Sequence, residues 1–285
     1  MKKVSIPQLR GSREKLTMLT AYDYWTAQLV DRAGAELILV GDSLGMVIQG
    51  QENTLSVTID EMIYHCKAVS RGRQQALIVG DMPYLSYHVS REETIRNAGR
   101  LVREGKVDAV KLEGGRKRVT MVKALLDAEI PVMGHLGLTP QSIHALGGFR
   151  VQGKDGASRD RITAAALALQ DAGVFAIVLE CVPYDLAAEL TEMLEIPTIG
   201  IGAGPHCSGQ VLVTHDLLGM TFGHVPKFVR PFANLGEQGQ NGVQGFIQAV
   251  REGTFPNMAE SFKPSKKGVK VNLYGGGEPL AELRN

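Results

Sequence analysis

Eight short apolar runs alternate with longer helix-like segments along this chain, and that alternation limits the fold more than any other feature. The runs are 16–20, 36–40, 76–79, 108–112, 131–133, 175–179, 197–200 and, less clearly, 226–229. Runs that are apolar throughout suit parallel strands buried on both faces. The segments between them carry helix punctuation. Thr58 or Asp60 is placed to cap one helix, and Ser90 followed by Glu93 is a capping box. The stretch 160–172 is rich in Ala and Leu and stops at Gly173, while 184–194 follows Pro183.

Strand–helix repeated about eight times predicts an α/β fold, a (β/α)8 TIM barrel, with a doubly wound open sheet as the structural alternative. The length of 285 residues suits one such barrel. We expect a single catalytic domain over 1–262, with a short N-terminal segment. Residues 263–285 hold three consecutive glycines and a lysine cluster, and they read as a C-terminal tail, flexible or docked on a neighbour.

Charge narrows the functional classes. Thirty-one basic and 30 acidic residues leave a formal net charge of +1, without the basic excess of a nucleic-acid or anionic-membrane partner. No stretch approaches the roughly 18 apolar residues of a membrane span, and the basic start lacks the apolar run of a secretory signal. Cys66, Cys181 and Cys207 are scattered and odd in number, which fits neither a disulfide framework nor zinc and points to the reducing cytoplasm. The 33 glycines cluster at the ends of the apolar runs, where the backbone turns or approaches a ligand.

Function is read first from position. Run two leads into Gly41-Asp42-Ser43, run three into Gly80-Asp81, run four into Glu113, run five into Gly134-His135 and run six into Glu180. In a barrel these ends converge on one mouth, where barrel enzymes keep their chemistry. Each residue has a bland alternative. Asp42 and Asp81 follow glycine and suit helix caps, Glu113 suits a hydrated loop, and Glu180 suits a salt bridge with Lys111. All of them at the same end of successive strands is a pattern the bland readings leave unexplained. Three carboxylates without a His–Cys cluster suit a hard divalent cation, Mg2+ by default and Mn2+ or Co2+ in its place. A fourth is then free to act as a general base.

The motifs also resemble a known family. Thr20-Ala21-Tyr22-Asp23, the run from Gly41 to Met46, Asp81-Met82-Pro83 and Lys111-Leu112-Glu113-Gly114-Gly115 come first. The runs Gly134 to Ser142, Gly147 to Gly153, Leu179 to Pro183, Ile199 to Gly204 and Gly209 to Val213 follow in order. Together they resemble the ketopantoate hydroxymethyltransferases (3-methyl-2-oxobutanoate hydroxymethyltransferases) over about residues 3–262. The departures are small. Ser208 stands where many members carry Asp, Arg150 replaces a common Lys, and the tail has no counterpart in the short members.

The resemblance implies transfer of a hydroxymethyl group from 5,10-methylenetetrahydrofolate to 3-methyl-2-oxobutanoate, giving 2-dehydropantoate. It implies that Asp42, Asp81 and Glu113 hold Mg2+, with Asp42, Ser43, Asp81, Lys111 and His135 around the oxo acid. Glu180 is then the base at C3. It also implies a homo-oligomer, often a decamer. The nearest competing reading is a Mg2+-dependent lyase or mutase of the phosphoenolpyruvate mutase and isocitrate lyase type. Those enzymes carry a reactive Cys in a Lys-Lys-Cys-Gly-His loop, which this sequence lacks. A non-catalytic binding protein on a degenerate barrel would show a damaged acidic set. His206 and His215, near the glycine run, are candidates to support the folate site, and His65 reads as a packed histidine.

Overall fold

The computed structural model describes residues 3–263. Its centre is a closed barrel of eight parallel strands in sequence order. They are β1 (Leu16–Thr20), β2 (Leu37–Val40), β3 (Leu77–Asp81), β4 (Ala109–Glu113), β5 (Val132–Gly137), β6 (Ala176–Glu180), β7 (Thr198–Ile201) and β8 (Gly209–Leu212). Closure is made by β8 against β1, with Leu16 opposite Gly209 and Leu19 opposite Leu212.

The eighth strand corrects the sequence reading. Residues 226–229 form a turn, in which the Val229 N–H donates to the Pro226 carbonyl. Pro226 has no N–H for a ladder. The strand is instead Gly209–Leu212, a short segment whose glycine and glutamine hide it from a search for apolar runs. The glycine is required there, because a Cβ at 209 would lie 2.5 Å from the Leu16 carbonyl oxygen. Only residues 202–208 separate β7 from β8, so this one connection carries no covering helix.

The period of two along each strand divides the core in two. Leu37, Leu39, Leu77, Val79, Ala109, Met133, Ala176 and Val178 belong to one cluster, the barrel interior. Their neighbours Ile38, Val40, Ile78, Val110, Val132, Ile177 and Leu179 belong to the other, packed on Met62, Leu101, Leu125, Leu169 and Leu186 of the surrounding helices. Burial on both faces explains why the strands read as unbroken apolar runs. The short helix Ile6–Arg10 adds Leu9 to the interior cluster.

The helix signals hold locally. Thr58, not Asp60, caps the helix Ile59–Gly72, and its exchange of hydrogen bonds with Glu61 completes a capping box. Ser90 accepts from the Glu93 N–H at the start of Arg91–Arg103, a side-chain cap without the returning Glu93 bond that a capping box requires. Gly156–Ala172 is capped by Asp155 and ends on Gly173 at φ 104°.

The chain divides into two compact units after Gly236, and the barrel lies in the first. The second includes most of the helix Leu235–Arg251, which buries none of its residues. Of the tail expected over 263–285, only Lys263 falls within the described residues.

Candidate active site at the barrel mouth

The alternation that sorts the core also aims the polar residues. On β3 the inward positions run Leu77, Val79, Asp81, and on β4 they run Ala109, Lys111, Glu113. On β5 Met133 is followed inward by His135, and on β6 Val178 by Glu180. Register stacks them side by side: Asp81 opposite Lys111, Glu113 opposite His135, and Gly137 opposite Glu180. Asp42 and Ser43 join from just beyond β2.

The contacts form a chain across the mouth. Lys111 Nζ lies 2.9 Å from Asp81 Oδ1. Asp81 Oδ2 accepts the Asp42 backbone N–H at 3.1 Å. His135 Nδ1 stands 3.2 Å from Lys111 Nζ and 3.4 Å from Glu113 Oε1, and its Nε2 stands 3.1 Å from Glu180 Oε2. Ser43 Oγ shares a 2.8 Å hydrogen bond with Tyr22 Oη. Asp42, Asp81, Lys111, Glu113 and His135 are all buried, whereas the Glu180 side chain is 19% exposed. Glu180 is therefore the carboxylate most open to an arriving molecule.

The bland alternatives fail one by one. Neither Asp42 nor Asp81 caps a helix, since the helix Leu44–Val47 starts at Ser43 without a side-chain cap. Glu113 is buried, not hydrated. Lys111 pairs with Asp81 rather than Glu180.

Electrostatics at this density are unfavourable without further positive charge. Burial, then repulsion from Asp81 and Glu113, raises the Asp42 carboxyl well above its usual range. Burial also raises Asp81, against the opposing pull of Lys111. Glu113 is lowered, because hydrogen bonding to His135 and the charges of His135 and Lys111 outweigh its burial. Burial works against the Lys111 ammonium, but Asp81, Glu113 and Asp42 hold its pKa above the ordinary value. Burial and Lys111 likewise lower His135, but the neighbouring Glu113 and Glu180 carboxylates outweigh them and raise it to about 9. Nδ1 is within reach of both Lys111 Nζ, from which a neutral ring accepts, and Glu113 Oε1, towards which a protonated ring points its N–H. Nε2 is within reach of Glu180 yet is not aligned for a hydrogen bond.

The donor set fits a hard divalent cation. It offers oxygen ligands, excess negative charge, and a buried Asp81 Oδ1 with no aligned hydrogen-bond donor. Among the described residues, however, no three His, Cys, Asp or Glu side chains already stand at ligating spacing. Lys111 engages one oxygen of Asp81, and Gln141 engages one oxygen of Asp42.

Three residues of the site carry no charge and escaped the sequence reading. Tyr22 touches Ser43, Tyr87 touches Glu113, and Gln141 touches Asp42 and Glu113. The one available signal for Gln141 was a neutral amide in the motif run that begins at Gly134. His65 Nδ1 contacts the Tyr22 carbonyl oxygen at 2.6 Å, as a packed histidine should. His215 stacks near Tyr22 with ring centroids 5.8 Å apart, while His206 is exposed. The thiol of Cys181 is raised to about 11 by burial and by Glu180, so it is not a ready nucleophile.

The family profile described as ketopantoate hydroxymethyltransferase matches residues 2–258. The chain is 56% identical over 277 residues to a 3-methyl-2-oxobutanoate hydroxymethyltransferase of Syntrophomonas wolfei, covering 96% of this chain and 100% of that protein. It belongs to the ketopantoate hydroxymethyltransferase family. A second member, from Clostridium botulinum, is 54% identical over 94% of this chain and 97% of its own length. The chain is thus an enzyme of a transferase family. A solved phosphonopyruvate hydrolase, in complex with oxalate and Mg2+, aligns with a TM-score of 0.61 at 12% identity, covering 91% of this chain and 93% of that one. At that identity the likeness concerns the barrel alone. Among the described residues no helix is long and apolar enough to cross a membrane.

Proposed function

We propose that the enzyme transfers a hydroxymethyl group from 5,10-methylenetetrahydrofolate to 3-methyl-2-oxobutanoate, forming 2-dehydropantoate through an enolate. The observation that carries this reading is the placement of Glu180. It is the most exposed carboxylate of the cluster, and it is held beside His135 on the same inward-facing side of the strands as Asp81, Lys111 and Glu113. A base facing carboxylate oxygens and the Lys111 ammonium suits removal of a proton next to a ketone.

Asp42, Asp81 and Glu113 are the residues that would hold Mg2+, with Mn2+ or Co2+ as substitutes. A bound divalent cation supplies Lewis-acid polarisation of the keto oxygen, worth several kcal/mol where negative charge develops. Ser43 and Lys111 orient the oxo acid's carboxylate, and Lys111 offsets charge on the enolate oxygen. Glu180 takes the proton from C3. His135 lines the pocket and keeps Glu180 in place. Water hydrolyses the methylene bridge, breaking both C–N bonds to give tetrahydrofolate and formaldehyde; the C3 carbanion equivalent adds to the formaldehyde carbon, and the alkoxide formed takes the proton held by Glu180.

The protein is expected to work in the cytoplasm as a homo-oligomer, a decamer by the family resemblance. The exposed stripe Val243, Phe246, Ile247 and Val250 on the helix Leu235–Arg251 supports association.

The test is solvent exchange. With Mg2+ and no folate, the protein should exchange the C3 hydrogen of 3-methyl-2-oxobutanoate for deuterium, followed by NMR. Absence of exchange by protein that binds the oxo acid would overturn the enolate reading. Exchange without turnover on adding 5,10-methylenetetrahydrofolate would overturn the choice of donor.

A further inference from the structure

Gln141 has no charge, is almost fully buried, and touches two carboxylates of the acidic cluster. It lies in the short turn Pro140–Ser142 that follows β5. Its side-chain Nε2 donates to Asp42 Oδ2 at 2.8 Å and to the Met82 carbonyl oxygen at 3.0 Å. The Met82 carbonyl is a pure acceptor, so the nitrogen of the amide must face this pair. Its Oε1 accepts from Tyr87 Oη at 2.5 Å. The Tyr87 oxygen in turn accepts the Glu113 backbone N–H at 3.1 Å. The backbone N–H of Gln141 itself donates to Glu113 Oε2 at 3.0 Å.

These bonds fix the amide without ambiguity. A flip would set Oε1 against a carbonyl and a carboxyl oxygen and lose both bonds that Nε2 makes. One residue therefore grips Asp42 with its side chain and Glu113 with its main chain, and Tyr87 locks it from behind. The same loop is anchored at its start, where the Leu138 N–H donates to the Glu180 carbonyl at 2.8 Å. Asp42 and Glu113 come from different strands and repel one another. Without a fixed donor between them, nothing but packing sets their separation.

We infer that Gln141 is a positioning residue that sets the placement of Asp42 and Glu113, and thereby the affinity of the mouth for a divalent cation. The inference rests on the metal reading above. Outer-shell hydrogen bonds of this kind, when removed, typically cost about 10–100-fold in metal affinity.

The test uses the full-length protein and Mn2+ alone, with binding followed by calorimetry and by the electron paramagnetic resonance of free Mn2+. Gln141→Met keeps the length of the side chain and removes both donors. Tyr87→Phe keeps the ring, removes only the hydroxyl behind Gln141, and decides the matter if the first variant fails to fold. We expect Mn2+ affinity to fall at least about 10-fold in Gln141→Met and by a smaller factor in Tyr87→Phe. The double variant should bind no more weakly than Gln141→Met, because the hydroxyl acts through the amide. The lost rate of deuterium exchange should be at least partly recovered by raising Mg2+. Variants that melt at lower temperature but bind Mn2+ within twofold of the parent would overturn the inference and leave the metal reading standing. A parent that binds no Mn2+ would overturn both.

Discussion

His135 Nε2 and Glu180 Oε2 lie 3.1 Å apart at the barrel mouth, one side chain buried and the other partly open. The imidazole is clamped from its far side by Glu113 and Lys111, so the partly exposed carboxylate has a rigid neighbour. Glu180→Gln keeps the shape and removes the base. It should lower deuterium exchange at C3 by about 10²–10⁴-fold, the range of a general base. Binding of 3-methyl-2-oxobutanoate, measured by calorimetry, should persist. An unaltered exchange rate would assign the base elsewhere.

The same histidine makes the cation-free protein sensitive to alkali. Its pKa is raised from 6.5 to about 9 in the folded state, so folding favours the protonated form. The stabilisation is complete below about pH 6.5 and is lost as the pH rises through about 9. A shift of this size is worth up to about 3 kcal/mol. The raised pKa values of Asp42 and Asp81 act in the same direction, over a window that begins in the usual carboxylate range. Urea unfolding in a chelator should therefore show stability falling between pH 6.5 and 9, and the fall should be smaller in His135→Gln. A stability that rises over this interval would contradict the assignment.

Lys111 is the buried cation that faces Asp81 directly. Lys111→Met leaves that carboxylate without its partner in a dry setting. Breaking a buried pair in this way costs roughly 3–5 kcal/mol. Thermal melting in chelator should register the loss, and saturating Mg2+ should recover part of it. A variant as stable as the parent without metal would mean that water already screens the pair.

Gly137 is a structural support for the base. Its φ is 94°, and a Cβ there would sit 2.1 Å from the Glu180 carbonyl oxygen. Gly137→Ala must therefore shift the end of β5 or of β6 and weaken the bond from the Leu138 N–H. The strained backbone alone costs about 1–3 kcal/mol. Melting temperature should fall, and exchange at C3 should fall by a larger factor than oxo-acid affinity. Equal effects on both would point to general loosening of the barrel.

Much of this arrangement was legible from residue order. A strand buried on both faces leaves a continuous apolar run, and seven of the eight strands announced themselves in that way. The exception, Gly209–Leu212, is short, contains Gly and Gln, and depends on close contact with β1 rather than on its own hydrophobicity. Charged residues at strand ends were equally readable. Asp81, Lys111, Glu113, His135 and Glu180 share one mouth because strand direction and a period of two leave them nowhere else to point, whereas Asp42 is out of phase with Leu37 and Leu39 and joins them from the turn after β2.

Which partner each of those residues takes was not readable. The identity of a residue states what it can donate or accept, while the choice among neighbours depends on register and on a few tenths of an ångström. Lys111 meets Asp81 rather than Glu180 because β4 pairs with β3 at that level of the barrel. Gln141 and Tyr87 carry no charge or metal-ligand signature; Gln141 joins the site because a turn after β5 reaches Asp42 and Glu113, and Tyr87 because the connection after β3 brings it to Glu113. Sequence alone determined the barrel and its acidic mouth, because periodicity and strand direction are local properties of the chain. Tertiary structure decided the network inside that mouth, because hydrogen bonds between residues as far apart as Asp42 and Gln141 exist only once the barrel has closed.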